Sequence, residues 1–422
     1  MFAAFRTTRR KSSHVALAIA LATGTAVSGV AYAPAAFAQE AQAPSRAFGE
    51  AYNLMVPLVQ GETQDYEAAR AMLPSLLAAV ENARDNDLAG SIQINIGGHF
   101  SDRQMQRRGL EQRLASGLVA PEQVGLLHWY AGNFAIEVEE YAAARDHLNA
   151  AMAAGYAGDG ADIVNLIART YTEEGNDRGA YDYLSRAIAD ADAAGTPVRE
   201  AWLRNVLQFV YEEGMVDEAS AVILRLVRTS DEPDRAWSDG LRIVSQMLEV
   251  SEDARVDLYR LMIERDALVD RPNMVEFIEA IDPRLMSNEV LEILRIGVAA
   301  GEFQTEGDGY YTEVNTIAQA RAPIDRNGIA GIVSEGRGGD ALDAMNAGDV
   351  LFSLDDYAQA EDMYALGLER GFDGNTAHMR IGINQAMQGE YDAALASFAS
   401  VGGERATIAA LWTAHVEALR GM

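Results

Sequence analysis

The chain has 422 residues, 49% of them hydrophobic and 23% charged, a balance that folds and is long enough for two or three ordinary domains. Lys plus Arg is 34 against 63 Asp plus Glu, a formal charge of -29, which opposes binding to a phosphate backbone, where cationic side chains must release counterions. There is no cysteine, so disulfides, thiolate nucleophiles, zinc-cysteine sites and lipid attachment through sulfur are excluded.

Residues 1–38 read as a secretory signal peptide. Arg6, Arg9, Arg10 and Lys11 form a basic front without an acid, and a weakly apolar run over 15–30 follows. Ala36 and Ala38 flank Phe37 as a small-residue cleavage pattern, which predicts cleavage after Ala38; Ala33 also fits but would leave Pro34 at the new terminus. The run is too rich in Ala, Thr, Ser and Gly for a stable spanning helix. Arg9 and Arg10 are followed by Lys11 and two serines, which favours the general secretory route over the twin-arginine route. Removing the leader's four cations leaves 30 basic residues against 63 acidic, or -33, and takes away Lys11, the only lysine. Lysine-based covalent or acid-base chemistry goes with it. No later stretch is long and apolar enough to cross a bilayer, so the expected location is the periplasm or the exterior, with no stable membrane anchor.

In chain order, 39–48 is expected to be disordered, and 49–303 to form an array of helical hairpins. The first pairs 51–60 with 66–80, with Tyr66, Ala69 and Leu73 on the second helix and Pro57 kinking the first. Periodic apolar positions place further helices over 237–250 (Leu241, Val244, Leu248) and 253–267 (Val256, Tyr259, Met262, Ile263), with Ser251 as N-cap. Helices over 274–281 and 288–300 follow, broken by Pro283 and stopped by Gly301. The segment 304–340 carries Gly307, Gly309, Gly328, Gly331, Gly336, Gly338 and Gly339, which predicts a loop-rich linker with short helices near 311–320 and 324–335. The region 341–422 is expected to hold two hairpins and a capping helix over 407–419.

A fixed period runs through this pattern. Gly348, Tyr357, Ala360 and Tyr364 recur 34 residues later as Gly382, Tyr391, Ala394 and Phe398, and Gly132, Tyr141, Ala144 and Leu148 share the spacing. Degenerate copies fall at Ala168, Tyr171, Gly175, Ala180 and Leu184, and at Val206, Gly214, Ala219 and Ile223. A small residue at the first position lets the two helices of a hairpin approach closely. These units resemble tetratricopeptide repeats, and the resemblance implies an all-α, right-handed α-solenoid of tetratricopeptide-like (TPR-like) helical hairpins with a concave face.

Chemical motifs are sparse. Glu139-Glu140, Glu173-Glu174 and Glu212-Glu213 read as solvated acids at corresponding turns rather than as catalytic pairs. Asp85, Asp87 and Gly90 sit at calcium-loop offsets, but Ala89 and Ile96 replace required ligands, leaving a plain loop. His99, His128, His147, His378 and His415 form no metal-binding set, and His128 beside Trp129 reads as a core histidine. No nucleophile elbow, phosphate loop or dinucleotide fingerprint is present, so no catalytic residue, metal or cofactor is expected.

The resemblance implies that the inner helix of each hairpin turns a polar stripe to the concave face. Carried onto this chain, the candidate partner-binding groove contains Trp129, Asn133, Asn165, Arg169, Arg204 and Gln208, and a more apolar part with Met345, Phe352, Met379 and Ile383. Arginine and amide groups suit a carboxylate or a peptide backbone, whereas the lysine clamp of the chaperone-tail-binding members is missing. The expected function is a non-catalytic scaffold for a protein or peptide partner in the periplasm of a Gram-negative bacterium. Two alternatives stand beside it: a structural or regulatory subunit of a cell-envelope complex, and a carboxylate-dependent hydrolase or lyase on a helical toroid, which would need two acids to meet across the concave face.

Overall fold

The computed structural model describes residues 43–60 and 63–421; the expected leader over 1–38 lies outside them. Among the described residues there are twenty α-helices and no strand. The chain divides into two compact units, residues 1–184 and 185–422.

The first unit is built from α1 (Arg46–Gln60), α2 (Tyr66–Ala78), α3 (Ala83–Phe100), α4 (Arg103–Ser116), α5 (Pro121–Glu137), α6 (Tyr141–Ala153), α7 (Ile163–Glu173) and the first half of α8 (Asp177–Ala193). The second contains the rest of α8, then α9 (Glu200–Glu212), α10 (Val216–Thr229), α11 (Pro233–Met247), α12 (Glu252–Glu264), α13 (Arg271–Ile281), α14 (Ser287–Ala300), α15 (Gly309–Gly338), α16 (Ala341–Ser353), α17 (Tyr357–Glu369), α18 (Gly374–Met387), α19 (Tyr391–Phe398) and α20 (Ala406–Arg420). The all-α architecture of TPR-like hairpins in tandem is therefore present.

Small residues set the hairpin spacing. A Cβ on Gly132 would lie 2.8 Å from Leu148 Cγ, one on Gly348 2.5 Å from Tyr364 Cε1, and one on Gly382 2.6 Å from Phe398 Cε1. Ala144, Ala360 and Ala394 have no exposed surface, so a larger side chain would force the helices apart. Tyrosine opens the second helix at Tyr66, Tyr141, Tyr357 and Tyr391. Many acids serve as caps: Asp65, Asp102, Asp162, Asp270, Asp308, Asp340, Asp356 and Asp373 accept hydrogen bonds from first-turn amides, satisfying donors that a helix start leaves unpaired.

Four sequence expectations are corrected. Of the segment 39–48, expected to be disordered, the described part is ordered: Arg46 starts α1 and Phe48 is fully buried. The calcium-like run is not a loop: Asp85, Asp87 and Gly90 lie on α3. There is no loop-rich linker over 304–340; α15 runs unbroken for 30 residues, capped by Asp308 and buried along Val314, Ala318, Ala322 and Val333. Gly328 and Gly331 face open space, so they weaken the helix without ending it. Gly336 is needed, since its Cβ would lie 2.6 Å from Ala347 Cβ. The break between compact units falls inside α8, not at the glycine-rich segment.

Helix α12 occupies the middle of the second unit. Ala254, Val256, Asp257, Leu258, Tyr259, Arg260, Leu261 and Met262 are all buried on it, so it is covered around its whole circumference, and α18 and α20 are among the helices that pack on it.

Candidate docking face and the buried ionic cluster

In the first unit, α5 and α7 carry four of the expected groove residues. Trp129 is half-buried and packs on the cluster around Leu148, Ile163 and Ile167, with its ring 5.9 Å from that of Tyr156. Asn133 Nδ2 donates to the Trp129 carbonyl at 2.8 Å, fixing the amide one turn along. Asn165 is half-buried, its backbone N–H donating to the Asp162 cap at 3.1 Å. Arg169 is the most open, at 56% exposure, and pairs with Glu173 one turn on at 3.1 Å, an exposed ion pair that holds the side chain only weakly.

The other six fall in the second unit and behave differently. Arg204 Nε meets Glu200 at 2.6 Å, with Asp239 3.6 Å from another of its nitrogens, and Gln208 donates to Glu212. Met345, Phe352, Met379 and Ile383 do not form an apolar docking face: they are 1%, 8%, 0% and 0% exposed. The place a partner would take is filled from within the chain. The Arg260 guanidinium of α12 lies 4.1 Å above the Phe352 ring, and α12 packs on α18.

That contact is also the largest concentration of buried charge. Arg260 holds Glu289 in a two-pronged bond, Nε at 2.9 Å and Nη2 at 3.0 Å. Arg405 Nε meets Asp257 at 3.1 Å, Arg380 Nη1 meets Asp349 at 2.6 Å, and Tyr364 Oη donates to Asp349 at 2.8 Å. The remaining Nη2 groups of Arg380 and Arg405 converge on the two oxygens of Asp253, in the first turn of α12. The Trp412 indole N–H closes the set on the Asp257 carbonyl at 2.9 Å. Burial pushes the Asp257 carboxyl upward while the three guanidinium groups oppose it, and burial with the adjoining Asp349 charge pushes the Tyr364 hydroxyl well up. Two acids do meet here, Asp253 and Asp257 on the same arginine, but each faces a guanidinium.

The paired glutamates are not equivalent. Glu173-Glu174 and Glu212-Glu213 end their helices before the left-handed Gly175 and Gly214, whereas Glu139 itself takes the left-handed position with φ 61°. They are also not simply solvated: Arg107 Nη2 reaches Glu140 at 2.5 Å and Arg145 Nη2 reaches Glu174 at 2.9 Å, tying each hairpin to the one before. Arg145 also stacks on Tyr171 at 4.1 Å. The histidines missed in sequence are a pair: His128 Nδ1 and His147 Nδ1 are 3.0 Å apart, and His147 Nε2 lies 3.1 Å from Glu111. Burial, then the neighbouring His147 ring, lowers the His128 pKa. Their spacing of 19 follows from the antiparallel hairpin, which brings the middle of α5 beside the middle of α6. Among the described residues no group of three or more His, Asp or Glu is placed to hold a metal ion, and no helix is long and apolar enough to cross a membrane.

No family model matches the sequence, and no curated protein matches it. Among solved structures, the chain is similar to the APC/C hetero-tetramer Cut9-Hcn1, with 13% identity over 88% of this chain and 69% of that one at a TM-score of 0.20. It is also similar to a circular tandem repeat protein with novel repeat topology, with 14% identity over 89% of this chain and 97% of that one at a TM-score of 0.15. At those scores the helical-repeat architecture rests on the chain's own helices.

Proposed function

We propose that the protein is a non-catalytic interaction scaffold, exported to the periplasm, that docks a protein or peptide partner on the α5 and α7 face of its first unit. The observation that carries this reading is the contrast between the two sets of groove positions. Trp129, Asn133, Asn165 and Arg169 lie half-buried or exposed, while Met345, Phe352, Met379 and Ile383 are buried, with α12 against the Phe352 ring and α18. A half-buried aromatic flanked by amides and a loosely held arginine offers apolar area together with groups that match a peptide backbone or a carboxylate. The charge of -29 favours a basic partner and makes association rates fall with salt. The neighbouring acids Asp253 and Asp257 both face guanidinium groups, so neither is placed as a free acid or base.

A photo-crosslinking side chain placed at Arg169 in intact cells tests the docking face. It is expected to capture one defined protein, and Arg169→Glu with Trp129→Ala should abolish that capture while leaving helicity unchanged; undiminished capture by the double variant would sink the assignment. For export, a reporter that folds only where disulfides form, fused after residue 60, should be active with residues 1–38 in place and inactive without them.

A further inference from the structure

One arginine of the second unit is placed unlike the rest. Arg265, at the end of α12, stacks its guanidinium over the Trp237 indole at 4.5 Å, and its Nε and Nη2 are buried without a hydrogen-bond partner. Those two N–H groups form one edge of the guanidinium and point the same way, the edge that takes a carboxylate in two parallel bonds. The same unit shows its use: Arg260 grips Glu289 with Nε at 2.9 Å and Nη2 at 3.0 Å, and Arg295 holds Glu292 through the same two nitrogens. Asp234 and Glu264 act on Arg265 through space, yet neither bonds that edge.

His415 packs against the same indole and feels the Arg265 charge through space. It is 4% exposed, packs edge-on against Trp237 at 6.3 Å and Trp412 at 5.5 Å between ring centres, and its Nδ1 is also buried without a partner. Three unanswered polar atoms, two at the end of α12 and one on α20, thus gather around Trp237 of α11. A buried guanidinium edge left unanswered destabilises the fold, and native proteins leave few such groups without a reason.

We propose that Arg265, with Trp237, Trp412 and His415, is a receiving site for a small carboxylate anion. The guanidinium edge binds the two oxygens, the indoles flank the short apolar body, and the His415 imidazole supplies a further polar contact.

Thermal melting of the full chain in sodium acetate, against sodium chloride at equal ionic strength, tests this. The wild type should gain about 3 °C with a saturating dependence on acetate. Arg265→Met should melt above the wild type in chloride, because the unpaired charge is gone, and should show no acetate-specific gain. Arg265→Lys keeps the charge but lacks the fork, so it should fold and also lose the acetate response. A gain in Arg265→Lys equal to that of the wild type, no gain in the wild type, or a lower melting point for Arg265→Met in chloride would each overturn the proposal.

Discussion

Arg405 and Asp257 show how much one pair can hold when neither partner reaches water: Arg405 is 4% exposed and Asp257 0%. Replacing Arg405 by Met leaves the Asp257 carboxylate buried beside a methyl group, and urea unfolding should show a loss of about 3–5 kcal/mol. Asp257→Leu added to Arg405→Met should recover most of that loss, because an ion pair replaced on both sides by apolar groups is close to neutral. His415 gives a pH dependence of definite sign. Burial lowers its pKa to about 4 from 6.5, so between those values the unfolded chain binds the extra proton. The stability contribution is complete above pH 6.5 and drains away as the pH falls towards 4, by roughly 3 kcal/mol in all. His415→Leu should flatten that stretch of the stability-pH curve, measured by urea midpoints at half-unit steps.

Elements were legible in the sequence to the extent that their causes are local. The 34-residue recurrence of Gly348 and Gly382, with Tyr364 and Phe398 answering them, marks close helix contacts that any reader of spacing can find, and Gly301 stops α14 in the left-handed form that glycine favours. Helix α15 was hidden because glycine content signals a break only when nothing else holds the helix; here Asp308 caps its start and Arg370 donates to the Gly336, Arg337 and Gly339 carbonyls at its end. Gly328 and Gly331 have nothing within 4 Å of a Cβ, so Gly328→Ala with Gly331→Ala should add about 1–2 kcal/mol, read as a higher melting temperature. At the α5 to α6 turn, Glu139 holds φ 61° where the next two hairpins have Gly175 and Gly214. Glu139→Gly should therefore stabilise the first unit by about 0.5–1 kcal/mol in the same assay.

For the whole molecule, the burial of the apolar docking positions in the second unit is not legible in the sequence, because α12, which lies against Phe352 and α18, is distant from them along the chain. Repeat spacing identifies which faces point inward but says nothing of what lies against them, and α12 meets Arg380, Arg405 and Trp412 across 127 to 155 residues. Trp129, Asn133, Asn165 and Arg169 of the first unit, and Arg204 and Gln208 of the second, keep the accessibility that the resemblance implies. A chain ending at Arg405 loses the Trp412 bond to Asp257 and the His415 ring against Trp237. Hydrogen exchange should then accelerate throughout α10, α11 and α12 while α3 to α6 keep their protection.

The central position of α12 also sets an order of events in time. Asp257 is synthesised well before Arg380 and Arg405, which face it across the fold, and its carboxylate stays hydrated until they are in place. Pairings of such long sequence separation carry a larger loop-closure cost than the contacts within a hairpin, so α12 is expected to lock in place after the local hairpins form.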